Sequence, residues 1–117
     1  MKKMLIATAL LCSTSALAND AISASLCGFV AEDNRNQVRK VLADNKLNLR
    51  NIYSGVRCNN ESLLQLAIRR DALDTGTFIV KQMPAKVLAD ANYEAWATAN
   101  GFADNPLVNI IKARLGE

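Results

Sequence analysis

Residues 58–71 read CNNESLLQLAIRRD, an asparagine pair followed by a leucine-rich run. Ser62 and Gln65 stand at capping-box spacing: the Ser62 hydroxyl can accept from the Gln65 backbone N–H, and the Gln65 side chain can accept in return from the Ser62 N–H. The spacing predicts a helix from about Leu63. Leu63, Leu64, Leu66, Ala67 and Ile68 then cover most of its circumference, leaving Gln65 and Arg69 to face water. A helix that is apolar on so many sides sits between neighbours and not on a surface. The chain therefore reads as helical layers around this segment.

Downstream, residues 71–76 break the pattern, and TFIVKQM resumes it with Phe78, Ile79 and Met83 before Pro84 stops it. The two segments form a helical hairpin. Val87, Leu88, Tyr93 and Trp96 predict one or two short helices ending at Gly101. In the last element Asn105 can cap, Pro106 suits the first helical position, and Leu107, Val108, Ile110, Ile111 and Leu115 supply an apolar face. Upstream, DAISASLCGFVAED places Ile22, Leu26, Phe29 and Val30 at helical spacing, with Cys27 beside the stripe. DNRNQVRKVLADNKL gathers Val38, Val41 and Leu42 on one face, offers Asp33 or Asn34 as N-cap, and ends at Asp44-Asn45. From Leu47 to Val56 the pattern alternates, Ile52 and Tyr53 add strand-favouring bulk, and Ser54-Gly55 is a turn dipeptide. That segment reads as a short extended finger. The expectation is an all-α, small single domain of five or six helices around a central hairpin from Leu63 to Met83.

The first eighteen residues, MKKMLIATALLCSTSALA, run from Lys2 and Lys3 through an apolar stretch of nine to small residues, the layout of a secretory signal peptide cleaved before Asn19. Nine apolar residues fall short of the roughly 20 that a spanning helix needs. Cys12 is discarded with the signal, because Leu11 is not the small residue a lipoprotein site wants. Removing 18 of 117 residues leaves 99, residues 19–117, enough for one domain with a modest core. Removing Lys2 and Lys3 from 14 basic residues leaves 12 against 11 acidic ones, a net charge of +1. A near-neutral domain lacks the bulk field of a nucleic-acid binder, and no second apolar span gives it a membrane role. Periplasmic or secreted localisation follows. Cys27 and Cys58 remain, and in an oxidising compartment their simplest pairing is one intramolecular disulfide.

SLLQLA at 62–67 resembles the ankyrin signature TPLHxA, with Ser62 for threonine, Gln65 for histidine and Leu63 for proline. DNRNQVRKVL and TGTFIVKQM would be second helices of successive units, but Val38 and Val80 are 42 residues apart, against the usual period of about 33. The resemblance implies an ankyrin-like helical hairpin, not a repeat array. LCGFVAEDNRNQVRKVL, NLRNIYSGVRCNNESLLQLAI and GTFIVKQMP together resemble a family of small exported gammaproteobacterial proteins of unknown function. This resemblance spans residues 26–84 and carries no catalytic residues. Asn60 stands where that family leads one to expect glycine.

The chain contains no histidine, which removes Ser-His-Asp and Cys-His catalysis and the commonest transition-metal ligand. Cys27 and Cys58 form no Cys-x-x-Cys motif, so neither a zinc knuckle nor a thioredoxin-like site is indicated. Glu32-Asp33-Asn34 lacks the alternating ligands and turn glycine of a calcium loop and reads as capping. No metal and no cofactor are expected. Glu61 beside Ser62 reads as electrostatic support for a helix start. Arg50, Arg57, Arg69 and Arg70 read either as a basic patch or as a solvated face. Ile52 and Tyr53 read equally as a contact surface or as side chains tucked under the disulfide.

These residues predict a non-enzymatic periplasmic interaction or accessory protein that meets a periplasmic protein partner through Arg50, Ile52, Tyr53 and Arg57. Two readings from other classes stand beside it. One is a secreted inhibitor presenting the 51–57 loop; the other is a small enzyme using carboxylates such as Glu61 or Asp71.

Overall fold

The computed structural model describes residues 20–116. The signal peptide expected over 1–18, its cleavage before Asn19, and Cys12 lie outside the described residues. Within them the chain is all-α, with no strand and a single isolated bridge between Cys58 and Glu61.

Helix α1 covers residues 20–31 and buries Leu26 and Val30 completely. It ends where Asp33 turns left-handed (φ 56°), and the Asn34 N–H returns to the Phe29 carbonyl at 2.8 Å. Helix α2 spans Arg35–Asp44, with the Asn34 side chain accepting from the Gln37 N–H at 3.2 Å. Of the two caps the sequence offers, Asn34 takes this role. Asp33 does something else: its Oδ1 accepts from the Thr75 N–H at 2.7 Å, supplying the N-terminus of α5 (Leu73–Gln82), whose own cap position is Ala72. The Arg35–Asp74 ion pair at 3.2 Å runs beside it.

The expected extended finger is instead helical. Helix α3 spans Leu49–Ile52 and runs into a 3-10 turn over Tyr53–Gly55. The Asn48 side chain accepts from the Arg50 N–H at 3.0 Å and so starts the helix. Leu49 and Tyr53, four apart, both turn inward. The apparent alternation at Leu47 and Leu49 does not mark a strand: Leu47 precedes the Asn48 cap, and Leu49 opens a short helical face with Tyr53. This segment raises the helix count above the five or six expected.

Helix α4 spans Leu63–Arg69 with both halves of its capping box made: Gln65 N–H to Ser62 Oγ at 3.2 Å and Ser62 N–H to Gln65 Oε1 at 2.9 Å. Leu63, Leu64, Ala67 and Ile68 are buried, as the opening stretch implies. Only Arg70–Asp71–Ala72 separate α4 from α5, so the second helix of the hairpin begins four residues before the expected TFIVKQM. Asp33 makes that early start, from 42 residues away. Helices α6 (Ala85–Ala91) and α7 (Tyr93–Ala99) are divided by Asn92, left-handed at φ 50°, whose side chain accepts from the Ala95 N–H. Helix α8 (Pro106–Arg114) is capped by Asn105 and starts with proline as expected. It packs so closely on α5 that a β-carbon added at Gly76 would overlap the Leu107 side chain. The core holds Leu26, Val38, Leu64, Ile79, Leu88 and Leu107, joining every layer to the α4–α5 hairpin.

Candidate functional site

The segment between α3 and α4 returns along α1 and is fastened to it. Cys27 and Cys58 form a disulfide with a Cα–Cα distance of 5.8 Å, the pairing expected from the sequence. Cys58 opens a tight turn: its N–H donates to the Glu61 carbonyl at 2.7 Å and the Glu61 N–H donates back at 3.0 Å. Both central residues, Asn59 and Asn60, have positive φ (54° and 68°). A two-residue turn of this kind favours Asn-Gly, which explains why Asn60 looks like a glycine position. The Arg57 guanidinium closes the outside of the turn by donating to the Asn60 carbonyl at 2.6 Å.

Of the four residues expected to form a partner surface, the structure separates Tyr53 from the rest. Tyr53 is buried. Its hydroxyl accepts from the Leu64 N–H at 3.2 Å and meets the Tyr93 hydroxyl at 2.5 Å, which in turn lies 3.4 Å from Ser62 Oγ. Leu64 is in the first turn of α4, where the N–H groups have no intrahelical acceptor. Tyr53 thus completes the cap that Ser62 and Gln65 begin. Burial, above all, pushes its phenol well above the usual range, and the neighbouring Tyr93 adds to the shift. A contact role for Tyr53 is incompatible with this placement. Its aromatic bulk beside a turn serves the core and the start of α4, a role named by neither of the two readings open for it, contact surface or tucking under the disulfide.

Arg50 and Arg57 are exposed and Ile52 is half-buried. Ile52 lines an open, largely apolar groove of about 350 Å³ together with Ile22, Leu47 and Val56. Arg57 lines a second groove of about 440 Å³ beside the disulfide, between α1 and α4, together with Arg70, Ala24, Gly28 and Leu66. Ser23 lines both. Ile52 and Arg57 therefore belong to neighbouring halves of one face, built by α1 on one side and residues 51–59 on the other. Ile22 and Leu47 were legible only as helix and finger residues, and Arg70 as one of a run of arginines. What unites them is the disulfide, which brings distant segments together.

Arg69, its sequence neighbour, is engaged elsewhere. Its Nε donates to both Glu61 carboxylate oxygens at 3.0 and 3.1 Å, and the guanidinium lies over Trp96 and Phe102 at 5.6 and 5.4 Å. The two rings stack with centroids 6.0 Å apart. The bond to Glu61 raises the Arg69 pKa. Glu61 is thereby committed to an ion pair. Asp71 is exposed and accepts from Asn105 Nδ2 at 3.4 Å; with Asp104 it lines a shallow concavity beside the start of α8. Glu61 does not line that concavity. No helix among the described residues is long and apolar enough to cross a membrane.

The geometry defines a small disulfide-stapled helical domain with an open face at its staple. The family model described as "Protein of unknown function (DUF3718)" matches residues 26–90, more than half of the 117-residue chain, and the chain belongs to that family. The match contains both cysteines, the whole of the 49–62 segment and the α4–α5 hairpin. No curated protein and no solved structure matches the chain.

Proposed function

We propose that the chain is a non-enzymatic periplasmic interaction protein, one of a family of small exported gammaproteobacterial proteins, and that it meets a protein partner through the face between α1 and residues 51–59. The observation that carries this reading is the junction of the two grooves at Ser23, which places apolar side chains and the Arg57 and Arg70 guanidinium groups on one accessible surface. The α4–α5 hairpin, ankyrin-like in its SLLQLA start, serves as the rigid support. An open, partly apolar face on a well-packed frame suits a binding module, since pre-ordered surfaces lose little entropy on association.

The inhibitor reading needs a protruding 51–57 loop. Tyr53 and Val56 are buried, which leaves that reading without support. The enzyme reading retains the Asp71–Asp104 concavity, but both carboxylates are exposed to water, which screens their charges.

The test is recovery of a partner from periplasmic extract by the oxidised 19–117 protein and by its Ile52→Asp variant. A dominant partner retained by the first and lost by the second supports the reading, provided circular dichroism shows both folded. Equal recovery by the two sinks it.

A further inference from the structure

The cationic half of the face indicates what kind of partner segment it takes. Arg57 and Arg70 both line the groove beside the disulfide, and neither has a carboxylate partner among the described residues. The neighbouring Arg69, by contrast, is neutralised by Glu61. Among the described residues, the one acidic residue lining either groove is Asp20, at the start of α1. The groove floor is open to close approach: Ala24 and Gly28 are exposed, and a β-carbon built on Gly28 would meet nothing within 4 Å. Arg57 is held in position by its bond to the Asn60 carbonyl, so it loses little side-chain freedom when it meets an anion. Beyond Ser23 the same face turns apolar at Ile22, Leu47 and Ile52.

We propose that this face binds an acidic segment of a partner protein, whose carboxylates pair with Arg57 and Arg70 while an adjoining apolar side chain enters the groove at Ile52. The proposal rests on the interaction reading above and adds the chemistry of the partner to it. Guanidinium groups favour carboxylates through paired, parallel hydrogen bonds, and the small residues of α1 let a peptide backbone lie close enough to form them. Electrostatic pairing of this type sets specificity and association rate, so it weakens with salt.

Panning a random dodecapeptide display library against the oxidised 19–117 protein tests this. Enriched peptides should carry Asp or Glu next to Leu, Ile or Phe. Their affinity should fall about tenfold or more in the Arg57→Glu/Arg70→Glu double variant, at the scale of a disrupted close charge pair. Panning that variant should enrich Lys and Arg instead. Neutral or basic peptides that bind the native protein and are lost on Ile52→Asp would overturn the acidic partner while leaving the interaction reading intact. Failure to enrich any peptide would also overturn the proposal, as would binding to phosphatidylglycerol vesicles that depends on the two arginines and displaces the peptides.

Discussion

Tyr53 shows how one side chain can resist assignment from sequence. An aromatic residue beside Ser54-Gly55 has the composition of an exposed loop tip, yet its hydroxyl reaches the first turn of α4 and its ring lies in the core. Tyr53→Phe removes the acceptor for the Leu64 N–H and should cost about 1 to 3 kcal/mol in urea unfolding. A pH dependence accompanies it. The folded-state pKa lies above the unfolded value of about 10, so the stability this phenol contributes is complete below pH 10 and declines as pH rises beyond it. Between pH 8 and 11 the native protein should therefore lose more stability than Tyr53→Phe, and equal losses would remove the effect. Thr75 presents the opposite case. It is fully buried, and its Oγ1 has no hydrogen-bond partner among the described residues. Thr75→Val keeps the shape and removes the unsatisfied hydroxyl, so it should raise stability by about 1 kcal/mol.

At the scale of elements, most helices were legible because their signals are local. The Ser62–Gln65 box, the Asn34 cap, and Asn105-Pro106 each lie within four residues of what they stabilise, and each forms as its spacing implies. The misread elements are those whose signals are distant or short. Helix α5 starts early because Asp33 caps it from the α1–α2 turn, and no pattern around Ala72 records that. Asp33→Ala should destabilise the fold by about 1 to 2 kcal/mol, whereas Asp33→Asn, which keeps an acceptor oxygen, should cost less. Comparable losses for the two would place the effect on charge and not on the cap. Helix ends behave similarly. Lys46 sits left-handed after α2 (φ 53°), with the Leu47 N–H returning to the Leu42 carbonyl at 2.8 Å, a position that favours glycine. Lys46→Gly should raise the unfolding free energy by about 0.5 to 1 kcal/mol, the relief of left-handed strain exceeding the added unfolded-state entropy.

Across the whole molecule, the disulfide is both the best-read feature and the one that hides the candidate face. The cysteine count and the expected compartment were enough to pair Cys27 with Cys58, but Ile52, Arg57 and Arg70 become one surface only after the pairing lays residues 51–59 on α1. Closing a loop of this length stabilises by roughly 3 to 4 kcal/mol in the chain-entropy model. Unfolding midpoints of the oxidised protein and a Cys27→Ser/Cys58→Ser variant should differ accordingly. A difference below about 1 kcal/mol would mean that burial of Leu26 and Val30 alone holds α1 in place.

The staple also sets how the two walls of the face depend on each other. The wall formed by residues 51–59 is held to the helical frame by Tyr53, whose hydroxyl meets Leu64 and Tyr93, and by the burial of Val56, whereas its covalent tie to α1 exists only once two sulfurs join. A chain with reduced cysteines thus lacks this covalent tie between the two walls. On the proposed reading, oxidation prepares the face for its partner as well as adding stability.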